Sequence, residues 1–398
     1  MKPYSTFSKQ REPISLSSHN YIISKPKSKT EKNMTSTSSL SSKESTLSTL
    51  ETLSPPIQKL KEKLEKFVIE KCQPAERIYE QHLQNRIGKQ RWTIDAIPPC
   101  IEELKNEAKM LGLWNLFLPH PLPTFLIQNE SCLEPSIYLS TREYGILCEV
   151  MGKSFLAPEA CNCNAPDTGN MEVLLKHGSI EQQQTYLPSL LNGESRSAFL
   201  MTEPDVASSD ATNIQTSLTK VITKENDHQG GGNPRIKYIL NGRKWWSTGG
   251  MDPRCKMALV LARMDYSHPS VLQQQQQHKQ KQHQNRKLNI ATSNPNHGAH
   301  TVVIVPMEKV TMIRPLTVFG CDDAPHGHAE VLLDNIVLDE SCLVLGEGRG
   351  FEIAQSRLGP GRIHHCMRAV GLAVRCYDLM LERSLSRKTF GKYLCEHG

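Results

Sequence analysis

The hydrophobic positions change their period twice along the chain. After Pro55-Pro56, the stretch IQKLKEKLEKFVIEK sets Ile57, Leu60, Leu64, Phe67 and Val68 at three- and four-residue spacing with charge between them, which predicts an amphipathic helix. IEELKNEAKMLG repeats the pattern through Ile101, Leu104, Ala108 and Leu111 and stops at Gly112, a residue that ends helices because left-handed backbone costs it little. Helical patterns recur around 141–152 and 180–191, the second opened by a capping box from Ser179 to Gln182. Residues 57–192 therefore read as an N-terminal α-helical domain.

From 193 the texture becomes strand-like. KYILNGRKWWST carries strand-forming residues on both sides of Asn241-Gly242, the strongest short hairpin signal, and predicts a turn there. MALVLAR (257–263), TVVIVPM (301–307) and AEVLLDNIVL (329–338) are further short strands bounded by turn residues. The block 193–345 reads as a middle antiparallel β-domain with low-complexity insertions at 224–235 and 267–300, where hairpin tips tolerate extra length at small entropic cost. The His-rich part of the second insertion reads as a loop rather than a metal site. Helical spacing returns from Phe351, so 346–398 reads as the start of a C-terminal helical domain. The expected fold class is α+β, in the order helices, strands, helices.

Composition refines this picture at the ends. Residues 1–55 are rich in Ser, Thr and Lys with few large apolar side chains, so they cannot bury enough surface to order themselves and are expected to be a disordered tail. That tail is acid-poor and hydroxyl-rich, as mitochondrial presequences are, yet it holds one arginine, Arg11, and no convincing amphipathic face. The net charge of +6 arises largely from the first fifty residues, where eight Lys/Arg face Glu12, Glu31 and Glu44. The near-neutral remainder argues against a nucleic-acid surface. The 12 cysteines form no framework, and the close pair Cys161 and Cys163 lacks a second pair to complete a metal site. No apolar run approaches the roughly 20 residues of a membrane span. These features describe a soluble intracellular chain with reduced thiols.

Two stretches carry the candidate chemistry. FLMTEPDVASSD (199–210) leaves a strand at Met201-Thr202, turns at Pro204 and presents Ser208, Ser209 and Asp210, offering N–H groups and hydroxyls to an acceptor-rich ligand. GRKWWSTGG (242–250) sets two tryptophans beside Ser247 and Thr248, an apolar face for a planar ring with hydroxyls for its polar rim. Together they could sandwich a flat cofactor; singly, each reads more simply as a turn or as core. His326 and His328 show no third metal ligand and read as structural. His364 and His365 are consecutive helix positions, so at most one faces a pocket. Asp167 and Asn170, in APDTGN, are either site residues or, for Asp167 or Thr168, a helix N-cap. GEGRG (346–350) lacks the strand-to-helix spacing of a dinucleotide loop and reads as a linker.

TEPDVASSD, NGRKWWSTGG, LGEGRGFEIAQSRLGPGRIHH and SRKTFGK, in that order, resemble the acyl-CoA dehydrogenase superfamily over about residues 60–398. The wording of APDTGNMEVL, DDAPHGHAEV and RLGPGRIHHCM is most similar to the branch containing family members ten and eleven. The resemblance implies an N-terminal helical domain, a middle β-domain, a C-terminal four-helix domain and an FAD cofactor. It implies that Phe199, Met201, Thr202, Ser208 and Ser209 hold the flavin on one side and that Trp246, Ser247 and Thr248 line its other side. Ser209, Arg362 and His364 would meet the acyl-CoA substrate, and Arg387 and Thr389 would reach the FAD of a neighbouring subunit in a homodimer or homotetramer. The implied reaction removes an α-proton from an acyl-CoA and passes the β-hydride to the flavin, giving the 2,3-enoyl-CoA. Electrons then pass to an electron-transfer flavoprotein, in a mitochondrion or a peroxisome.

The base departs from the family pattern. One group of relatives carries a glutamate just before the arginine matched by Arg362, and here that position is Gly361. Another group carries an acidic residue later in the C-terminal helices, beyond Gly398. The expected reading is therefore a truncated dehydrogenase fragment lacking its base. The alternatives are a catalytically silent flavin- or CoA-binding protein and an acyl-CoA oxidase-like flavoenzyme.

Overall fold

The computed structural model describes residues 53–127, 134–207, 210–224, 234–272 and 299–397. Ser208, Ser209, nearly all of the N-terminal tail and most of both insertions lie outside the described residues. The first helical pattern forms α1 (Pro55–Phe67), a π-helical turn (Val68–Cys72) and α2 (Gln73–Gln84). Its predicted apolar stripe, from Ile57 to Val68, is buried. Next come α3 (Pro99–Met110), α4 (Thr124–Ile127), α5 (Thr141–Gly152) and α6 (Ala157–Ala160). α7 (Asp167–His177) and α8 (Ile180–Leu191) complete the helical part, and the Ser179–Gln182 capping box opens α8.

The sheet comprises β1 (Arg196–Leu200), β2 (Ser217–Lys224), β3 (Pro234–Thr248), β4 (Cys255–Asp265) and β5 (His300–Pro306). β6 (Thr311–Leu316), β7 (His328–Asp339) and the short β8 (Leu343–Val344) follow, in the spatial order β6-β7-β3-β2-β4-β5-β8 with β1 against β4. It is mixed rather than wholly antiparallel, because β1 and β2 each run parallel to β4. Neither pair is joined by a tight turn, so nothing in their connections imposes the antiparallel sense.

Asn241-Gly242 does not turn the chain. β3 runs straight through it, held by β2 on one side and β7 on the other, and the dipeptide is absorbed as a register shift against β7. A pair of flanking ladders outweighs a local turn preference, and a bulge is the local accommodation. Gly242 is required for another reason: a Cβ there would lie 2.3 Å from the Thr216 hydroxyl oxygen.

α9 (Gly350–Ser386) is one 37-residue helix. It packs along α5, where Gly152 and Gly371 bring the backbones so close that a Cβ at Gly371 would lie 1.8 Å from the Glu149 carbonyl oxygen. Its far end exposes Leu372, Tyr377, Leu379, Met380 and Leu385. Beyond it, Lys388–Thr389 and Lys392–Tyr393 pair as a small ribbon, β9 and β10.

Candidate active site

The strand exit at 199–202 and the end of β3 are joined directly. The Trp245 N–H donates to the Thr202 carbonyl at 3.0 Å, and the Thr202 hydroxyl donates to the Trp245 carbonyl at 2.6 Å. The two stretches are therefore neighbours on one wall rather than facing walls, as a sandwich would have them. Lys244, fully buried, fastens the joint by donating to the Met201 carbonyl (2.9 Å), Glu203 (2.8 Å) and the Leu261 carbonyl (2.7 Å). Burial lowers its pKa to about 8 against the opposing pull of Glu203. Glu203, the acid of TEPD, also accepts from the N–H of Gln215 and of Thr216, so it serves the loop and not a ligand.

This wall borders a cavity of about 760 Å³ lined by Phe199, Met201, Thr202, Trp246 and Thr248. α9 supplies Arg357, Leu358, Gly361, Arg362, His364 and His365 to the same cavity. Ser247 departs from the expectation: it is buried and does not line the cavity, because the bulge between Lys244 and Ser247, with Trp246 at φ +50°, turns Trp246 outward and brings Ser247 inward. Arg387 and Thr389 lie past the end of α9 and outside the cavity lining. Trp246, 41% exposed and at φ +50°, offers its ring to the space, and His328 stacks beside it at 5.9 Å while bonding the Thr248 hydroxyl at 3.0 Å. An open aromatic ring beside hydroxyls in a cavity this size fits a flat heteroaromatic group.

Behind the sheet side lies a buried charge cluster that sequence reasoning missed. Glu159 of α6 receives Arg196 of β1 (2.6 Å), Arg254 (3.0 Å) and His326 (2.8 Å). Asp252 receives Arg254 and His326, each at 2.8 Å. Burial would lower the His326 pKa, but Glu159 and Asp252 outweigh it and raise it to about 10. His326 is thus an ion-pairing residue and not a metal ligand. Asp167 is not an N-cap: it lies inside the first turn of α7, accepting from the Ser197 N–H and hydroxyl (both 2.7 Å) and from Arg196. Asn170 is also structural in its contacts, donating to Ser197 Oγ and the Ala198 carbonyl.

A second cavity, of about 570 Å³, adjoins on the helical side, with walls from Phe117, Leu118, Leu122, Leu139 and Val173. Arg357 and His364 line both cavities, and Glu172 lines the second. His364 is buried, edge-on to Tyr144 at 4.5 Å, and burial with nearby Arg368 lowers its pKa to about 4, so it is a neutral imidazole near pH 7. His365, the exposed neighbour, also reaches the first cavity. Arg357 and Glu172 were not legible as site residues. The i, i+4, i+7 spacing of Arg357, Gly361 and His364 on one helix face was the available signal.

A sheet edge and a long helix thus enclose a cavity that carries an exposed tryptophan. The acyl-CoA dehydrogenase middle-domain model matches residues 198–336, and the C-terminal-domain model matches 348–398. Mouse acyl-CoA dehydrogenase family member 10 is 42% identical over 87% of this chain and 28% of its own length. Human family member 11 is 42% identical over 84% of this chain and 36% of its own. A solved Mycobacterium abscessus structure assigned as an acyl-CoA dehydrogenase is 37% identical, with a TM-score of 0.68, over 87% of this chain and 74% of that one. This chain belongs to the acyl-CoA dehydrogenase family. Its similarity runs to members ten and eleven, and it spans well under half the length of those curated relatives. Among the described residues, no helix is long and apolar enough to cross a membrane.

Proposed function

We propose that this chain binds FAD in the larger cavity and belongs to an enzyme that oxidises an acyl-CoA to its 2,3-enoyl-CoA. The observation carrying this reading is the reciprocal bonding of Thr202 and Trp245, which sets both family motifs along one cavity wall. When bound there, the flavin would supply hydride acceptance. The residues of the chain would bind, orient and exclude water. Phe199, Met201, Thr202, Trp246 and Thr248 would hold the ring, Arg362 would meet a CoA phosphate through its planar donor fork, and His364 would contact the acyl part as a neutral donor or acceptor. Arg387 and Thr389 would reach a neighbouring subunit's FAD. Electron-transfer flavoprotein would be the acceptor, and a mitochondrion or peroxisome the setting.

An α-proton of a thioester is too weakly acidic to leave without a positioned base. The three buried carboxylates at the cavity are engaged: Glu159 and Asp252 are held by cations, and Asp167 by Ser197 and Arg196. Asp323, the exposed carboxylate of the same lining, stands 3.8 Å from His328, and Glu172 lines the adjoining cavity without an ion pair among the described residues. The absence of a glutamate at 361 favours a second reading, a flavin- and CoA-binding chain without turnover. Purified chain loaded with FAD and mixed anaerobically with acyl-CoAs separates the two. Bleaching of the flavin absorbance supports the dehydrogenase, retained colour with CoA binding supports the silent protein, and failure to retain any flavin rejects both.

A further inference from the structure

Among the described residues Arg357 closes no ion pair and is held by neutral groups. Its Nε donates to the Asn170 side-chain oxygen at 3.1 Å, and its guanidinium lies over the Phe199 ring at 4.0 Å. Asn170 is itself fixed by Ser197 and Ala198. Gly169 leaves the room: a Cβ there would stand 3.1 Å from Arg357 Nε. Among the described residues no carboxylate lies within ion-pair distance of Arg357, although Glu172 and Asp167 are near enough to act on it electrostatically. Arg368, three turns along α9, also lacks a carboxylate but is turned to the Cys163 carbonyl.

A half-buried charge on a cavity wall, held only by neutral groups, is left for a ligand to complete. Phe199, under the guanidinium, is two residues from Met201 and lines the same cavity. We propose that Arg357 is an electrostatic residue of the flavin site, holding positive charge against the negative charge that reduction puts on the bound ring, with Glu172 opposing it. This inference rests on the FAD reading. Half-buried on the cavity wall, such a charge acts more strongly than it would on an open surface. Burial lowers the Arg357 pKa to about 10, so it stays charged at pH 8, while burial raises Glu172 to about 7, so Glu172 is largely ionised there.

The test is the reduction potential of FAD bound to the full chain, measured by dye equilibration at pH 8. Arg357→Met should disfavour reduction at least tenfold, which is about 30 mV for a two-electron couple. Arg357→Lys should restore most of it, and Glu172→Gln should move the potential the opposite way. Flavin retained by Arg357→Met with an equilibrium within about twofold of wild type overturns the inference alone. So does a shift of Glu172→Gln in the same direction as Arg357→Met, a readout that stands even if Arg357→Met fails to fold. Wild-type chain that binds no FAD overturns the functional reading and this inference with it.

Discussion

On the sheet side of the larger cavity, Glu159 takes Arg196, Arg254 and His326 at 2.6–3.0 Å. On the helix side, Arg357 and Glu172 are close enough to feel each other and yet close no ion pair. The paired groups Glu159, Arg196 and Asp252 are buried, whereas Arg357 and Glu172 are half-buried on cavity walls, so pairing goes together with withdrawal from water. Where opposite charges saturate one another, they lock α6, β1 and the turn before β7 together and leave nothing for a ligand. Where they stand apart, the cost of burying charge is left for a ligand to offset. Charge pairing thus separates structural polar residues from available ones across two adjoining cavities.

The sharpest way to break this comparison is to remove the hub of the paired side. Glu159→Gln would leave four cations, Lys105, Arg196, Arg254 and His326, short of their shared partner and should cost about 3–5 kcal/mol, read by chemical denaturation. A loss under about 1 kcal/mol would mean the cluster does not hold the two layers together. Lys244→Met leaves Glu203 buried with its cation removed and should cost about 3 kcal/mol. It should also weaken FAD retention, because the Met201 carbonyl loses its donor; equilibrium dialysis would show this.

Gly361 tests the available side. A Cβ at this cavity-lining position meets nothing within 4 Å. Gly361→Glu should therefore fold, gaining about 0.5–1 kcal/mol from helix propensity, and should speed anaerobic bleaching by acyl-CoA at least about tenfold if no other base serves the site. Arg357→Met should not destabilise the fold as Glu159→Gln does, since it breaks no ion pair among the described residues and removes a charge that no carboxylate offsets; a loss as large as that of Glu159→Gln would erase the contrast.

The smallest effect is a pH profile. His326 has a folded pKa raised from 6.5 to about 10, so its contribution is full below pH 6.5 and is lost as pH rises through about 10. Lys244, lowered from 10.5 to about 8, works oppositely: its penalty is full below pH 8 and is relieved between 8 and 10.5. His326→Asn should flatten the decline between pH 6.5 and 7, below the range in which Lys244 titrates. An unchanged profile in that window would place His326 outside the paired network.

Much of the architecture was legible because period is a local property. The stripe from Ile57 to Val68, the α8 capping box and the apolar cores of β4, β5 and β7 all emerged where the spacing put them. Local signals failed where neighbours outvoted them. Asn241-Gly242 runs through a strand because ladders grip it on both sides, and Asp167 turns from capping its own helix to bonding Ser197 on β1. Thr202 and Trp245, which no periodicity connects, meet because β3 folds back beside the exit of β1.

The order of residues by itself determined the helices α1, α3, α5, α8 and α9, the strands β4, β5 and β7, the succession of family motifs and the open position at 361, since each rests on spacing within a few turns or on residue identity. Only the tertiary structure decided which charges are spent and which are available. Glu159 and His326 stand far apart in the chain, as do Glu172 and Arg357, and nothing local distinguishes the two pairs. Coulomb energy depends on separation in space and on the surrounding dielectric, and neither quantity exists until the chain has folded.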